Sequence, residues 1–158
     1  MKTLILALGN PVLSDDAVGW EIADRMAAIL PEEEFHVLKE SGATLDLVPQ
    51  FQGYERLIVI DAVRIGEAPI GTVHRFALSD LASTVRYSSA HDVNFATAFA
   101  AASELGYHVP KDVRIYAVEV KELNRFAETC TPELKGKLGG IARRICDELC
   151  AAHSVDSC

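Results

Sequence analysis

The segment from Thr3 to Leu8 carries no charge and shows no alternation of apolar and polar positions. A strand that faces solvent on one side alternates in this way, whereas a strand covered on both faces is continuously apolar. Thr3–Leu8 therefore predicts a central strand of a parallel sheet that has helices on both sides.

Helical and strand patterns alternate along the rest of the chain. Val18, Ile22, Met26 and Ile29 recur at helical spacing and predict a helix that ends near Pro31. Further strands are expected at Phe35–Lys39, Arg56–Ile60, Gly71–Phe76 and Val113–Val118. Further helices are expected at Ala43–Gln50, Asp92–Leu105 and from Thr131 onward. The last helix is expected to bury a stripe of apolar residues, namely Leu134, Leu138, Ile141, Ile145 and Leu149.

The fourth strand is expected to run antiparallel at an edge of the sheet. Parallel crossovers need about a dozen residues or more, and the connection containing Gly66 and Pro69 is shorter. The predicted fold class is α/β: a three-layer αβα arrangement around a five-stranded, mostly parallel sheet with one antiparallel strand.

The 158 residues suit a single domain, 1–158, whose last few residues are expected to form a disordered tail. A net charge of −8 argues against a nucleic-acid or anionic membrane partner. The chain has no apolar run near the roughly 20 residues of a membrane span, and its start does not resemble a signal peptide. We therefore expect a cytoplasmic protein.

The cysteines, Cys130, Cys146, Cys150 and Cys158, all lie near the end of the chain. This distribution suits neither a disulfide framework nor a CxxC zinc site. Cys146 and Cys150 could share one helix face as metal ligands, but small buried helix residues are the favoured interpretation.

Polar residues follow the predicted strands where ligands bind in open α/β sheets, at the carboxyl ends. Asp15 and Asp16 follow the first strand, Asp61 follows the third, and His91 lies near the start of the Ala-rich helix. The alternative for the acids is capping or turn formation, and for His91 an ordinary surface position. Asp61 is harder to explain in that way, since a carboxylate after a buried strand needs water or a partner.

Asp16, Asp61 and His91 together would offer two carboxylates and an imidazole at one edge of the sheet. A helix N-terminus disfavours the imidazolium, so a histidine there is expected to be neutral and able to bind a metal. Such a set suits a divalent ion with open coordination positions, and nickel, zinc, manganese and iron all remain candidates.

The ordered set Leu8-Gly9-Asn10 with Asp15-Asp16, then Ile58-Val59-Ile60-Asp61-Ala62, then His91 resembles the hydrogenase maturation endopeptidases. The resemblance extends over nearly the whole chain. It implies an endopeptidase that removes the C-terminal extension of a nickel-iron hydrogenase large-subunit precursor after nickel insertion. It also implies that Asp16, Asp61 and His91 are the metal-contacting residues, with nickel carried by the precursor.

The expected catalytic residues are Asp15, Asp16 and Asp61, with an acidic side chain handling a proton while the ion polarises the scissile carbonyl or activates water. Two segments depart from the usual pattern of the family, and so does one residue, Asn94, which follows His91 where Gly or Pro is frequent. Glu40-Ser41-Gly42-Ala43 stands where Asp-Gly-Gly followed by Ser or Thr is frequent, and Val118-Glu119-Val120 replaces a proline-containing segment.

Two other functions are compatible with parts of the sequence. A non-catalytic chaperone or scaffold that checks the precursor for nickel would need the same ligands. A peptidyl-tRNA hydrolase-like enzyme shares the Gly-Asn-Pro turn, but the acidic charge and the absence of a basic stripe oppose it.

Overall fold

The computed structural model describes the backbone of residues 2–41, 45–83 and 90–156, and their side chains except at 45, 81–83, 90–95, 153, 155 and 156. The strands in these ranges are β1 Thr3–Leu8, β2 Phe35–Glu40, β3 Arg56–Val63, β4 Val73–Ala77 and β5 Asp112–Glu119. The helices are α1 Val18–Ala27, α2 Leu78–Ser83, α3 Ala90–Glu104, α4 Pro132–Lys135 and α5 Leu138–Asp156, with 3₁₀ segments at Ser14–Ala17 and Leu45–Phe51.

The strands form one sheet in the order β2-β1-β3-β5-β4. β1 pairs in parallel with β2 and with β3, and β3 pairs in parallel with β5. β4 runs antiparallel to β5 at the edge of the sheet. The predicted mostly parallel five-stranded sheet with one antiparallel edge strand is therefore confirmed.

The sheet is covered on both faces, which explains the continuous apolar strands. Ile58 and Ile60 of β3 pack on one face in a buried cluster with residues of α1 and α5. Leu57 and Val59 pack on the other face with residues of α3 and of the 3₁₀ segment Leu45–Phe51. Because successive strand residues point to opposite faces, every position of β1 and β3 is buried.

Helix α1 is shorter than the spacing of apolar residues predicts. It ends at Ala27, and the side chain of Ile29 is 50% exposed. The amide groups of Ile29 and Leu30 both donate to the carbonyl of Met26, so the chain turns here and leaves the helical register. Leu30 takes the buried position instead.

Two further predicted boundaries were wrong. Strand β3 does not stop before Asp61 but continues to Val63, because β5 extends to Glu119 and pairs with it. The last helix is divided into α4 and α5. The buried stripe predicted for that segment is confirmed, since Leu134, Leu138, Ile141, Ile145 and Leu149 are all buried.

Helix α5 continues to Asp156, so of the predicted disordered tail only residues 157 and 158 lie outside the described part of the chain. Among the described residues, no helix is both long enough and apolar enough to cross a membrane.

Gly19 allows α1 to pack directly on the ends of β1 and β3. A Cβ atom at this position would lie 2.7 Å from the carbonyl oxygen of Ile60 and 2.8 Å from that of Leu8. Gly19→Ala is therefore expected to lower the free energy of unfolding by about 1–3 kcal/mol, as measured by urea denaturation.

Gly140→Ala is the matched control, because Gly140 lies in α5 with open space around its Cβ position. Alanine there is expected to stabilise the helix by about 0.5–1 kcal/mol. Equal stability of Gly19→Ala and the wild type would show that α1 can move away from the strands at no cost.

Candidate active site

Asp61 lies at the carboxyl edge of the sheet. The last residue pair between β1 and β3 is Ala7 with Ile60. Asp61 is the next residue of β3, just beyond this pairing. Its side chain is fully buried, and its Oδ1 accepts a hydrogen bond from the amide of Ala62 at 2.8 Å. By strand alternation it lies on the face that α3 covers.

Asp16 lies at the same edge, in the 3₁₀ turn Ser14–Ala17 between β1 and α1. Its Oδ2 accepts a hydrogen bond from the amide of Asn10 at 2.9 Å, and the residue is 7% exposed. A Cβ on Gly9 would lie 2.1 Å from the carbonyl oxygen of Asp16. The turn thus folds tightly back onto the end of β1, which requires glycine at position 9.

The backbone turn beside Asp16 is strained. Among the described residues, Ser14 is the non-glycine residue with a positive φ, at 44°. Its amide donates to the carbonyl of Ala127 at 2.9 Å, which holds this conformation in place. Strained backbone of this kind is concentrated at functional sites.

His91 lies in the first turn of α3, the helix that covers the face to which Asp61 belongs. Its side chain lies outside the described part of the structure. Among the side chains that are described, no group of three or more His, Cys, Asp or Glu residues could hold a metal ion. The three-residue metal set of Asp16, Asp61 and His91 therefore stays a prediction.

Asp15 has a structural environment that the sequence did not indicate. Its carboxylate is fully buried and accepts hydrogen bonds from the amides of Lys121, Glu122 and Thr131, at 3.1, 3.0 and 2.6 Å, and from the Thr131 hydroxyl at 3.0 Å. The carboxylate therefore ties the β5–α4 loop to the turn that carries Asp16. The catalytic role of Asp15 stays a prediction, but these contacts favour a positioning role.

These bonds also change the expected capping pattern. Neither the 3₁₀ turn nor α1 has a side-chain cap, so Asp15 does not cap its own helix. Thr131 occupies the N-cap position of α4, but its side chain does not cap that helix and its hydroxyl donates to Asp15 instead. The donors lie more than 100 residues away in sequence, at separations of 106 to 116, so local patterns could not reveal them.

Sequence reasoning missed Glu119, the last residue of β5. Its side chain is 1% exposed; Oε2 accepts hydrogen bonds from the amides of Ile65 and Gly66, and Oε1 lies 3.3 Å from His74 Nε2. Glu119 thereby anchors the loop that follows β3. A signal was available, because an acid after a buried strand is the same pattern that marks Asp61.

Glu119 lies in one of the two segments that depart from the family pattern. Glu40, which ends β2, is the first residue of the second such segment, Glu40-Ser41-Gly42-Ala43. The indole Nε1 of Trp20 donates to the Glu40 carbonyl at 3.2 Å, so α1 holds this end of β2. Residues 42–44 lie outside the described part of the chain.

Cysteine chemistry is not favoured at the site. Cys130 is buried near Asp15; burial raises the pKa of its thiol to about 11, and the Asp15 carboxylate acts in the same direction. The thiol is therefore protonated near neutral pH, which makes it a weak nucleophile and metal ligand. In α5, Cys146 is buried as predicted, but Cys150 is exposed, so the prediction for Cys150 was wrong.

Comparison with known proteins identifies the family. The sequence model of the hydrogenase maturation proteases matches residues 20–148, a range that includes Asp61 and His91 and begins after Asp16. The hydrogenase expression/formation protein HupD of Rhodobacter capsulatus is 27% identical over 146 residues, which cover 87% of this chain and 66% of HupD. The chain thus spans about two thirds of the length of this relative.

Solved structures share the fold, and two of them show how close the likeness is. The hydrogenase maturating endopeptidase HybD from E. coli has a TM-score of 0.80 and 22% identity, covering 96% of this chain and 94% of its own. The [NiFe] hydrogenase maturation protease HybD from Thermococcus kodakarensis has a TM-score of 0.76 and 22% identity, covering 94% and 99%. With a family model that matches most of its length, the chain belongs to the hydrogenase maturation protease family.

Proposed function

We propose that this protein is an endopeptidase that removes the C-terminal extension of a nickel-iron hydrogenase large-subunit precursor, and that nickel on the precursor is its recognition element. Membership of the hydrogenase maturation protease family supports the reaction class. The observation that carries the proposal is the placement of two carboxylates from separate segments, Asp16 and Asp61, at one edge of the sheet.

The backbone position of α3 supports the addition of His91 to this set. The first turn of α3 carries His91, and α3 packs on the face to which Asp61 belongs. The carboxylates of Asp16 and Asp61 and the imidazole of His91 would complete the coordination of an ion that the precursor already holds. Such contacts would bring the adjacent peptide bond to a fixed position.

The bound ion would polarise the scissile carbonyl or activate water, which is the usual contribution of a divalent metal to hydrolysis. Asp16 or Asp61 would accept a proton from the attacking water and pass it to the leaving amine. Asp15 would contribute indirectly, by holding the Ser14–Ala17 turn through its bonds to Lys121, Glu122 and Thr131.

Metal dependence is tested with nickel-loaded and metal-free precursor, following release of the C-terminal peptide by intact mass. A divalent ion that polarises the carbonyl would stabilise the transition state by several kcal/mol. The metal-free precursor is therefore expected to be cleaved at least about 100-fold more slowly. Equal cleavage of the two forms would reject nickel as the recognition element. Nickel-dependent binding without any peptide release would instead favour the non-catalytic chaperone.

A further inference from the structure

The loop between β5 and α4 presents an exposed aromatic side chain next to the candidate active site. Phe126 is 82% exposed, and Val12, which is 44% exposed, lies on the neighbouring segment. The two segments are paired, since the Ala127 amide donates to the Val12 carbonyl at 3.0 Å. A single exposed apolar residue needs no explanation, whereas apolar residues that adjoin each other and are rimmed by polar groups mark interaction sites.

This loop is held firmly at both ends and in the middle. The Asp15 carboxylate accepts hydrogen bonds from the amides of Lys121 and Glu122 at one end and from Thr131 at the other. Ala127 is fixed between, by its pairing with the chain on either side of Leu13. The exposure of Phe126 is therefore preorganised, which lowers the entropy lost when a partner binds.

Two cations adjoin this aromatic residue. Lys121, Arg125 and Phe126 line one cavity of about 420 Å³. Within the described part of the chain, neither cation makes a side-chain hydrogen bond or ion pair. The carboxylate of Glu122, also at this cavity, accepts a hydrogen bond from the Asn124 amide in its own loop. Lys121 and Arg125 outnumber Glu122 among the charged residues that line this cavity, which favours an anionic group there.

The cavity adjoins the turn that carries Asp16. Ser14, the first residue of the turn that carries Asp16, is part of its wall. An extended peptide that fills the cavity would thus reach Asp16 within a few residues. We define Val12, Lys121, Arg125 and Phe126 as the Phe126 surface.

We infer that the Phe126 surface binds an extended segment of the precursor's C-terminal extension in which an apolar side chain adjoins a carboxylate. The apolar side chain packs on Phe126 and Val12, and the carboxylate pairs with Lys121 and Arg125. This inference rests on the proposed function, because it takes the hydrogenase precursor as the partner.

The test is calorimetric titration of the full-length protein with nickel-loaded large-subunit precursor, and with the same subunit lacking its extension. Phe126→Ala and Arg125→Glu are each expected to raise the Kd roughly tenfold or more, as for a central contact residue. Removing the extension is expected to weaken wild-type binding similarly and to abolish the difference between wild type and the variants.

The matched controls lie on the opposite side of the domain, at the amino-terminal ends of the parallel strands. Leu105 is 71% exposed just after α3, and Lys111 is exposed just before β5. Leu105→Ala and Lys111→Glu are expected to leave the Kd within about twofold of the wild type, as for surface positions outside an interface.

Three outcomes would overturn the inference: unchanged affinity of Phe126→Ala, equal effects of the variants on the subunit without its extension, or Phe126-dependent self-association without precursor. Each titration is made in an Asp61→Asn background, so that the extension stays on the precursor during the measurement, and peptide release is followed separately with the wild-type protein. Binding that depends on Phe126 and on the extension, in a protein that releases no peptide, would support this surface while rejecting the proposed endopeptidase.

Discussion

Asp61→Asn is expected to lower the rate of precursor cleavage by about 100-fold to 10,000-fold, the range that a positioned acid or base contributes. Asparagine has nearly the same shape, and its side-chain oxygen can still accept the hydrogen bond that the Ala62 amide donates to Asp61. It lacks the negative charge with which a carboxylate accepts a proton and attracts a cation more strongly than an amide does. The loss of activity should therefore come without loss of the fold.

The experiment measures initial rates of peptide release together with the thermal midpoint of each variant. Asp16→Asn and His91→Ala are expected to behave in the same way, since all three residues are assigned to one site. Asp112→Asn is the matched control, because Asp112 is a β5 carboxylate paired with Arg56 and Arg114 at the opposite edge of the sheet. Cleavage by Asp61→Asn at the rate of this control would remove Asp61 from the mechanism.

Asp15→Ala is expected to destabilise the protein more than any other single substitution considered. It leaves the amides of Lys121, Glu122 and Thr131, which bond to the fully buried Asp15 carboxylate, without their acceptor. Each buried donor left unsatisfied costs about 1–3 kcal/mol. Allowing for water that enters the space, the free energy of unfolding should fall by about 3–5 kcal/mol, as for the removal of one partner from a buried charged contact.

Urea denaturation of Asp15→Ala and of Asp24→Ala checks this expectation. Asp24 pairs with Lys39 at 2.7 Å, but its side chain is 57% exposed, so its removal should change stability by no more than about 1 kcal/mol. Equal stability of the two variants would contradict the structural role of Asp15.

Asp15→Asn separates the structural role from the catalytic one. The amide of asparagine cannot accept on both sides, so stability should fall partway towards that of the alanine variant. If Asp15 only holds the loop, cleavage measured well below the unfolding temperature should persist. Complete loss of cleavage in a folded Asp15→Asn protein would instead support the predicted proton-handling role.

The fold could be predicted from sequence where the signal was local. Continuous apolar runs such as Thr3–Leu8 indicated strands buried on both faces, and the short connection after β3 indicated an antiparallel edge strand. The errors lay at boundaries that depend on a partner. Asp61 was placed after its strand because its own sequence gives no sign that β5 reaches Glu119 and extends the pairing to Val63.

In the candidate site too, some features could be predicted from the sequence and others could not. Asp16 and Asp61 could be placed at one edge because parallel strands bring their carboxyl ends together. The partners of Asp15 could not, because they lie in a loop more than 100 residues away in sequence, where no local pattern links them to Asp15. For Glu119, the sequence shows its position after an apolar strand. It does not show the contacts of its carboxylate with Ile65, Gly66 and His74.

The amino-acid sequence alone determined the α/β class, the strand directions and the edge at which the acidic residues collect, because these follow from side-chain periodicity and connection length. Only the tertiary structure decided which carboxylate holds a loop, since a buried carboxylate takes its structural role from the donors around it. For Asp15 those donors lie more than 100 residues away in sequence, whereas for Asp16 one donor is the amide of Asn10, six residues away.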